Sequence, residues 1–478
     1  MPRESRDLTI TVWNAGDQPV DLAGVGIATS FGPVPSPSGL PRSVAPGELA
    51  SFKLPLAVPA GAEPTFPSYL ARPLDGDVYD WSAVPPADRG EPFGPAAVRV
   101  RFDLRTGDAH ASLERDAVAR FADPARGEIR RPLRVVPRLE VSVAPDLVLV
   151  PLDASSRPTT SPLLSVSVES NASQPLSGTV ELDLACAGPP RPIGHFELTP
   201  ASASTSFQRP LPACASAGTE TARVVARTSD GEEFARALPL IDHPPLPPTP
   251  VPQAATVEVV RTRLALPELR GIVYVPGAAD RVPGYLAALG LPLTTLDGTA
   301  LEAAELSRFD VIVIGSRAYQ SDPGLARVNA RLLDWVRAGG TMIVQYQQYP
   351  FVEGHFAPLP LEIARPHDRI TDETAPVKVL EPTSAVVNVP NRIGPQDWQG
   401  WVQERSLYMP HTWDPGYTPI LEMQDPDQPP QRGALLVAKL GKGTYVYTGI
   451  AFFREIPAGV PGAYRLFANL LALGGGTR

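Results

Sequence analysis

One stretch limits the folds open to this chain more than any other: residues 308–348, which read strand, loop, helix, strand. Residues 311–314 (Val-Ile-Val-Ile) form an unbroken β-branched run, the pattern of a strand buried on both faces. Asp322 is placed to cap the next helix, Pro323 suits its first position, and Gly339 with Gly340 ends it. Leu325, Val328, Leu332, Trp335 and Val336 recur at helical spacing and make one apolar stripe. Residues 341–344 are then a second buried strand. A βαβ unit of this kind belongs to a parallel sheet with a right-handed crossover, and ligands approach such sheets at the carboxyl ends of the strands. Here those ends carry residues 316–320 and 345–348.

The same rhythm extends both ways. Strands are predicted over 271–275, 293–296, 435–438 and 444–450, with helices over 282–289 and 461–473. Strands alternating with helices make 255–478 an α/β doubly wound domain. Residues 349–432 interrupt it as a long, aromatic-rich, proline-broken excursion.

Upstream the period changes to two. Residues 1–137 carry short alternating runs at 8–13, 20–27, 51–56 and 98–102 between Gly/Pro/Asp-rich loops, which predicts an antiparallel β-sandwich. Residues 138–242 repeat the style at 139–143, 164–168, 178–184 and 222–227, a second, Ig-like sandwich. Residues 243–254 are a proline-rich linker, read as a stiff polyproline II spacer. At 478 residues, three domains agree with a prior of roughly 150 residues each.

A net charge of −9 and a pI near 5.3 argue against nucleic acid as a partner, since phosphate binding needs a basic face. No apolar run approaches the ~20 residues of a membrane-spanning helix. The first residues have no hydrophobic segment of signal-peptide type, and a strand-like run begins at Leu8, so Met1 is suspected not to be the original start. Cys186 and Cys214, the only cysteines, lie in a strand-rich region. They are disulfide candidates in an oxidising compartment, or else two small buried residues.

Candidate ligand-binding residues cluster at the carboxyl ends of the α/β strands. Arg317 and Tyr319 follow one strand; Gln345 and Gln347 follow the next; Arg454 and Glu455 lie after the last. Such groups suit a small anionic or hydroxylated ligand, or serve only to satisfy loop backbone. Trp398, Trp401 and Trp413, beside Glu404 and Asp414, offer a carbohydrate-stacking surface or the packing of a lid. His355, His367, His411 and Asp368 share the excursion, but their spacing matches no metal motif. Phe66, Tyr69, Tyr79 and Trp81 are a second aromatic group, as a sugar platform or a sandwich end. Asn171 heads a glycosylation sequon, a pattern frequent by chance.

The order of elements in the α/β domain resembles the class I glutamine amidotransferase fold, a flavodoxin-like sheet. Residues 449–455 (Gly-Ile-Ala-Phe-Phe-Arg-Glu) are similar to that family's Gly-Val-Gln-Phe-His-Pro-Glu, and 341–348 fall where it places its Gly-x-Cys-x-Gly elbow. The resemblance puts Tyr346 in the place of the cysteine and Phe453 in that of the histidine; only Glu455 is kept. The elbow's flanking positions must be small, yet here they are Val344 and Gln348. A tyrosine without a base is not an activated nucleophile either. The resemblance therefore implies a degenerate domain.

Whole segments are also similar to the C-terminal part of large bacterial PIG-L (LmbE-like) deacetylases: 237–242 with the polyproline stretch, 313–319, 343–350, 394–404 and 441–473. That resemblance implies a parent class of zinc-dependent enzymes that remove N-acetyl groups from glucosamine-containing substrates, with export from the cytoplasm. The family's His-Pro-Asp-Asp-Glu-type zinc motif has no counterpart, because the chain contains neither Asp-Asp nor His-x-x-His. Zinc is thus expected only in a deacetylase domain absent from this chain, a partner suspected upstream. The function expected is that of a non-catalytic accessory region, glycan-associated. The alternatives are a free-standing hydrolase using the α/β crevice through Glu455 and the 317–319 loop, or a carbohydrate-binding module.

Overall fold

The computed structural model describes residues 1–34, 43–75, 77–94 and 96–475, the side chain of Ala87 aside. Strand accounts for 42% of the chain and helix for 16%, so the molecule is β-rich and built from several sheets.

The α/β region carries a seven-stranded sheet, whose strands we number β1 (Ile272–Val275), β2 (Leu293–Thr295), β3 (Val311–Ile314), β4 (Thr341–Gln345), β5 (Tyr417–Pro419), β6 (Leu435–Leu440) and β7 (Gly443–Thr448). Their spatial order is β2-β1-β3-β4-β7-β6-β5. The first five are parallel; β6 and β5 add on antiparallel. Successive side chains of a strand point to opposite faces, and both faces are covered. Ile272, Tyr274, Val311 and Val313 pack with Leu286 and the closing helix Pro461–Ala472, whereas Val273, Val275, Ile312 and Ile314 pack with Leu301 and the helix Pro323–Ala338. That is why these strands read as unbroken apolar runs. The caps of Pro323–Ala338 follow the sequence: Asp322 accepts from Gly324 N, and Gly339 closes the helix at a φ of 129°.

The second β unit is a sandwich. Leu139–Ala144, Leu163–Ser170 and Ser204–Pro210 form one sheet; Leu147–Leu152, Leu176–Asp183, Arg191–Leu198 and Gly218–Thr228 lie in the other. The latter sheet also takes Thr256–Arg263, parallel to Leu147–Leu152 and antiparallel to Gly218–Thr228. The sandwich thus reaches past the boundary expected at residue 242. Val257 and Val259 supply its core from the far side of the prolines.

The proline-rich segment is not the straight spacer the sequence predicts. Arg236–Ala237 pairs with Gln253–Ala254 and Leu240–Ile241 with Thr249–Pro250. Prolines have no N–H to give a ladder; Pro244, Pro245, Pro247 and Pro248 lie at the tip of a hairpin between the paired residues. The sandwich and the α/β domain share a core: Leu149, Val260 and Leu264 join the cluster of the closing helix. Gly459, at a φ of +72°, lets the two surfaces meet; a Cβ there would lie 2.7 Å from Leu147 Cδ1.

Cys186 and Cys214 are joined in a disulfide, their Cα atoms 6.0 Å apart, closing a loop of 28 residues. Reducing it is expected to cost the sandwich about 3 kcal/mol through the freedom regained by the unfolded chain. Denaturant titration with and without reductant, against a Cys186→Ala/Cys214→Ala double variant that reductant does not shift, checks this.

The first β unit pairs Ser5–Trp13 with Leu49–Ala57 and sets Val20–Thr29 between Ser43–Val44 and Val98–Thr106. Its core is split into small clusters around Ile10, Leu22, Leu56 and Val98.

Candidate functional site

The carboxyl ends of β3 and β4 meet three other segments: the hairpin of Leu361–Ile370 with Ser406–Trp413, the loop before Arg405, and the turn after β7. The excursion folds over the rim of the sheet, where its Tyr408 packs on Tyr346 and accepts a hydrogen bond from Gln348 Nε2 at 2.9 Å.

Tyr346 is 6% exposed. Its ring stacks on Tyr408 (centroids 5.7 Å apart) and leans on Phe453 (5.2 Å), and His367 stacks on Tyr408 at 3.7 Å. Burial pushes the Tyr346 phenol up from its ordinary pKa, with Arg317 opposing and Glu404 adding to the rise. Its hydroxyl makes no hydrogen bond to a described residue, so no described base is held against it. His367, held below the ordinary imidazole range by burial and then by Arg369, lies one ring away from Tyr346.

The loop after β3 is closed from within. The fully buried Gln347 accepts a hydrogen bond from Tyr319 N at 3.1 Å and donates through Nε2 to Gly315 O (2.9 Å) and Gln345 O (2.8 Å). The Tyr319 N–H at the start of this loop is therefore already taken by a carboxamide. Tyr319 is buried as well, its hydroxyl donating to Asn329 Oδ1. Gln345 turns inward to Tyr274, which donates in turn to Asp280 at 2.8 Å. Three of the residues expected to face a ligand thus serve buried networks instead.

Glu455 is 0% exposed; Oε2 accepts from Val402 N at 3.1 Å, and Oε1 has no partner. Desolvation pushes its carboxyl up to about 8 despite Arg405 and Arg454. Glu404, also buried, binds Arg454 Nε at 2.8 Å and lies 3.7 Å from Arg369. Arg317 and Arg454 alone among the expected ligand residues at the rim stay partly accessible.

Of the two readings of the tryptophans, the burial of Trp398 and Trp401 agrees with the packing of a lid. Trp398 (8% exposed) and Trp401 (4%) belong to the core under the closing helix, where both rings pack against the buried guanidinium of Arg405. Arg405 donates from there to Trp398 O and Ala375 O. Trp413 is half-buried against the other core. Apolar faces already covered cannot stack on a sugar. Trp401→Ala is expected to cost about 3–5 kcal/mol of stability by opening a cavity, while retention on immobilised polysaccharide stays as in the native chain. Chemical denaturation and affinity electrophoresis check the two halves.

His411 pairs with Asp368 at 2.7 Å, and no described cluster joins the excursion's histidines into a metal site. The one group of potential ligands found among the described residues is Cys186, Cys214 and Glu220, whose two sulfurs are bonded to each other. At the first β unit Tyr69 packs against Tyr79 (4.8 Å) and Trp81 (5.8 Å), half in solvent.

Sequence reasoning missed Tyr408, Arg405, Arg369 and Gln403. Arg317, His355, Gln403 and Tyr408 all adopt left-handed φ values of 48–69°, and no sequence signal marks them because none is glycine or asparagine.

No family model matches the chain, and no curated protein does. Among solved structures it is similar to a β-galactosidase from Rahnella sp. R3 (16% identity, TM-score 0.26, covering 42% of this chain and 31% of that one). It is also similar to a cytoplasmic protein of Salmonella typhimurium LT2 (13%, TM-score 0.28, 42% and 98%) and an exo-β-1,4-mannosidase of Opitutaceae bacterium strain TAV5 (10%, TM-score 0.25, 44% and 35%). The chain spans about a third of the length of the two glycosidases.

Proposed function

We propose that the chain is a non-catalytic accessory region of a PIG-L (LmbE-like) N-acetylglucosaminyl deacetylase. In this reading two β-sandwiches, the second Ig-like, carry a degenerate amidotransferase-like domain that presents a separate zinc-dependent catalytic domain to a glycan. The order of the parallel strands, β2-β1-β3-β4-β7, supports the flavodoxin-like part of the reading. The disulfide suits an oxidising compartment outside the cytoplasm.

The observation that carries the non-catalytic reading is the Gln347 carboxamide bonded to Tyr319 N, with an unactivated Tyr346 beside it. Among the described residues the group of potential ligands, Cys186, Cys214 and Glu220, does not fit zinc, since its two sulfurs are bonded to each other.

The purified chain, assayed on N-acetylglucosaminides with added zinc, is expected to show no turnover above buffer. Turnover abolished by Glu455→Ala would overturn the accessory reading in favour of a hydrolase.

A further inference from the structure

A cleft of about 640 Å³ lies between the second sandwich and the α/β domain, at the size of pockets that hold small molecules. Leu152, Leu264, Leu266, Leu289 and Pro390 supply an apolar wall, and Arg263, Arg392 and Arg465 line it too. Three arginines in one cleft stand out in a chain of net charge −9.

The arginines have different roles. Arg465 is committed to the protein: it donates to Arg263 O at 2.7 Å and to Arg392 O at 2.8 Å, and pairs with Asp397 at 2.8 Å. One guanidinium therefore bridges the backbones of the other two and fixes them as neighbours. The guanidiniums of Arg263 and Arg392 have no ion pair and no hydrogen bond to a described residue, and both side chains are exposed. The carboxylate also lining the cleft, Asp153, is occupied through Oδ1 by the N–H groups of Ser155 and Arg157.

The walls are held in place. Asn391 accepts from Ala265 N and donates to Ala265 O, both at 2.9 Å, while Asn469 accepts from Asn391 N at 2.8 Å. Leu264 belongs to the core shared by the two domains. Two guanidiniums that line one cleft and are bonded to no described residue are open to an anion, whose charge they attract. The planar guanidinium fork matches a carboxylate or phosphate in particular.

We propose that this cleft binds a small anionic molecule, its carboxylate or phosphate group held by Arg263 and Arg392 and its body against Leu264, Leu266 and Leu289. The site is distinct from the rim of the sheet and independent of any reading of that rim.

Calorimetric titration of the full chain at low ionic strength tests it, with citrate and inorganic phosphate as separate arms and glucose as the neutral control. Saturable one-to-one binding of citrate, phosphate or both is expected, with glucose silent and affinity falling as salt rises. Citrate alone identifies a carboxylate site and phosphate alone a phosphate site. Arg263→Gln/Arg392→Gln, changes confined to exposed side chains, is expected to weaken binding about tenfold or more, and Arg392→Gln alone to weaken it less. Arg327→Gln, on a remote helix, should leave it unchanged. Absence of saturable binding by both anions at millimolar concentration overturns the proposal, as does a double variant that folds and binds like the native chain.

Discussion

The Asn469→Leu variant is expected to lose roughly 3–5 kcal/mol of stability, although the number of side-chain heavy atoms is kept. Asn469 is fully buried on the closing helix. It donates to Val386 O (2.9 Å) and Asn391 O (2.7 Å) and accepts from Asn391 N (2.8 Å). Leucine would leave two carbonyls and one N–H in the core without partners, each costing about 1–3 kcal/mol, partly relieved by local adjustment. The loss should begin where the excursion is hooked to the helix. Hydrogen exchange at residues 385–393 is therefore expected to accelerate more than exchange in β3 or β4. A loss below about 1 kcal/mol, the ordinary range for surface changes, would mean the lid is held elsewhere.

Glu455→Gln is expected to stabilise the protein at neutral pH and to flatten its stability–pH profile. The carboxyl is raised from 4.5 to about 8 by desolvation, so folding favours its neutral form. Below pH 4.5 both folded and unfolded chains hold the proton, and its contribution is fully present. Between 4.5 and about 8 the unfolded chain ionises while the folded one does not. Stability falls through that window by up to about 1.4 kcal/mol per pH unit. Glutamine keeps an oxygen for Val402 N and never ionises, but it buries an extra N–H pair. The net gain at neutral pH is therefore put at roughly 1–3 kcal/mol, vanishing or reversing in acid. Denaturant midpoints of both proteins across the window check the sign; parallel profiles would show that Glu455 is ionised in the fold.

The parallel strands and their helices were legible because each rests on local rules. Val311–Ile314 is apolar at every position, and Asp322, Pro323 and Gly339 mark the helix ends in their own chemistry. A lid was one of two readings of the excursion, but how it packs was not legible, since its contacts join residues far apart in sequence. Trp401 and Arg405 look like surface chemistry in a polar, proline-broken stretch until the closing helix covers them. The strand Thr256–Arg263 was not legible as part of the sandwich, because a proline cluster marks a break in the ladder but not which side of it the next residues join. At the rim, the bulky aromatic side chains of Tyr346 and Phe453 were readable directly from the sequence. The closure by Gln347 was not, as a glutamine two residues past a strand has no preferred partner in sequence.

The account depends on the rim of the sheet carrying no activated nucleophile. The most direct measurement is intact-mass spectrometry after incubation with an electrophilic glutamine analogue, 6-diazo-5-oxo-norleucine, followed by peptide mapping of 341–353. The account predicts unmodified protein at every time point. A stoichiometric adduct on Tyr346, lost in Tyr346→Phe, would contradict it.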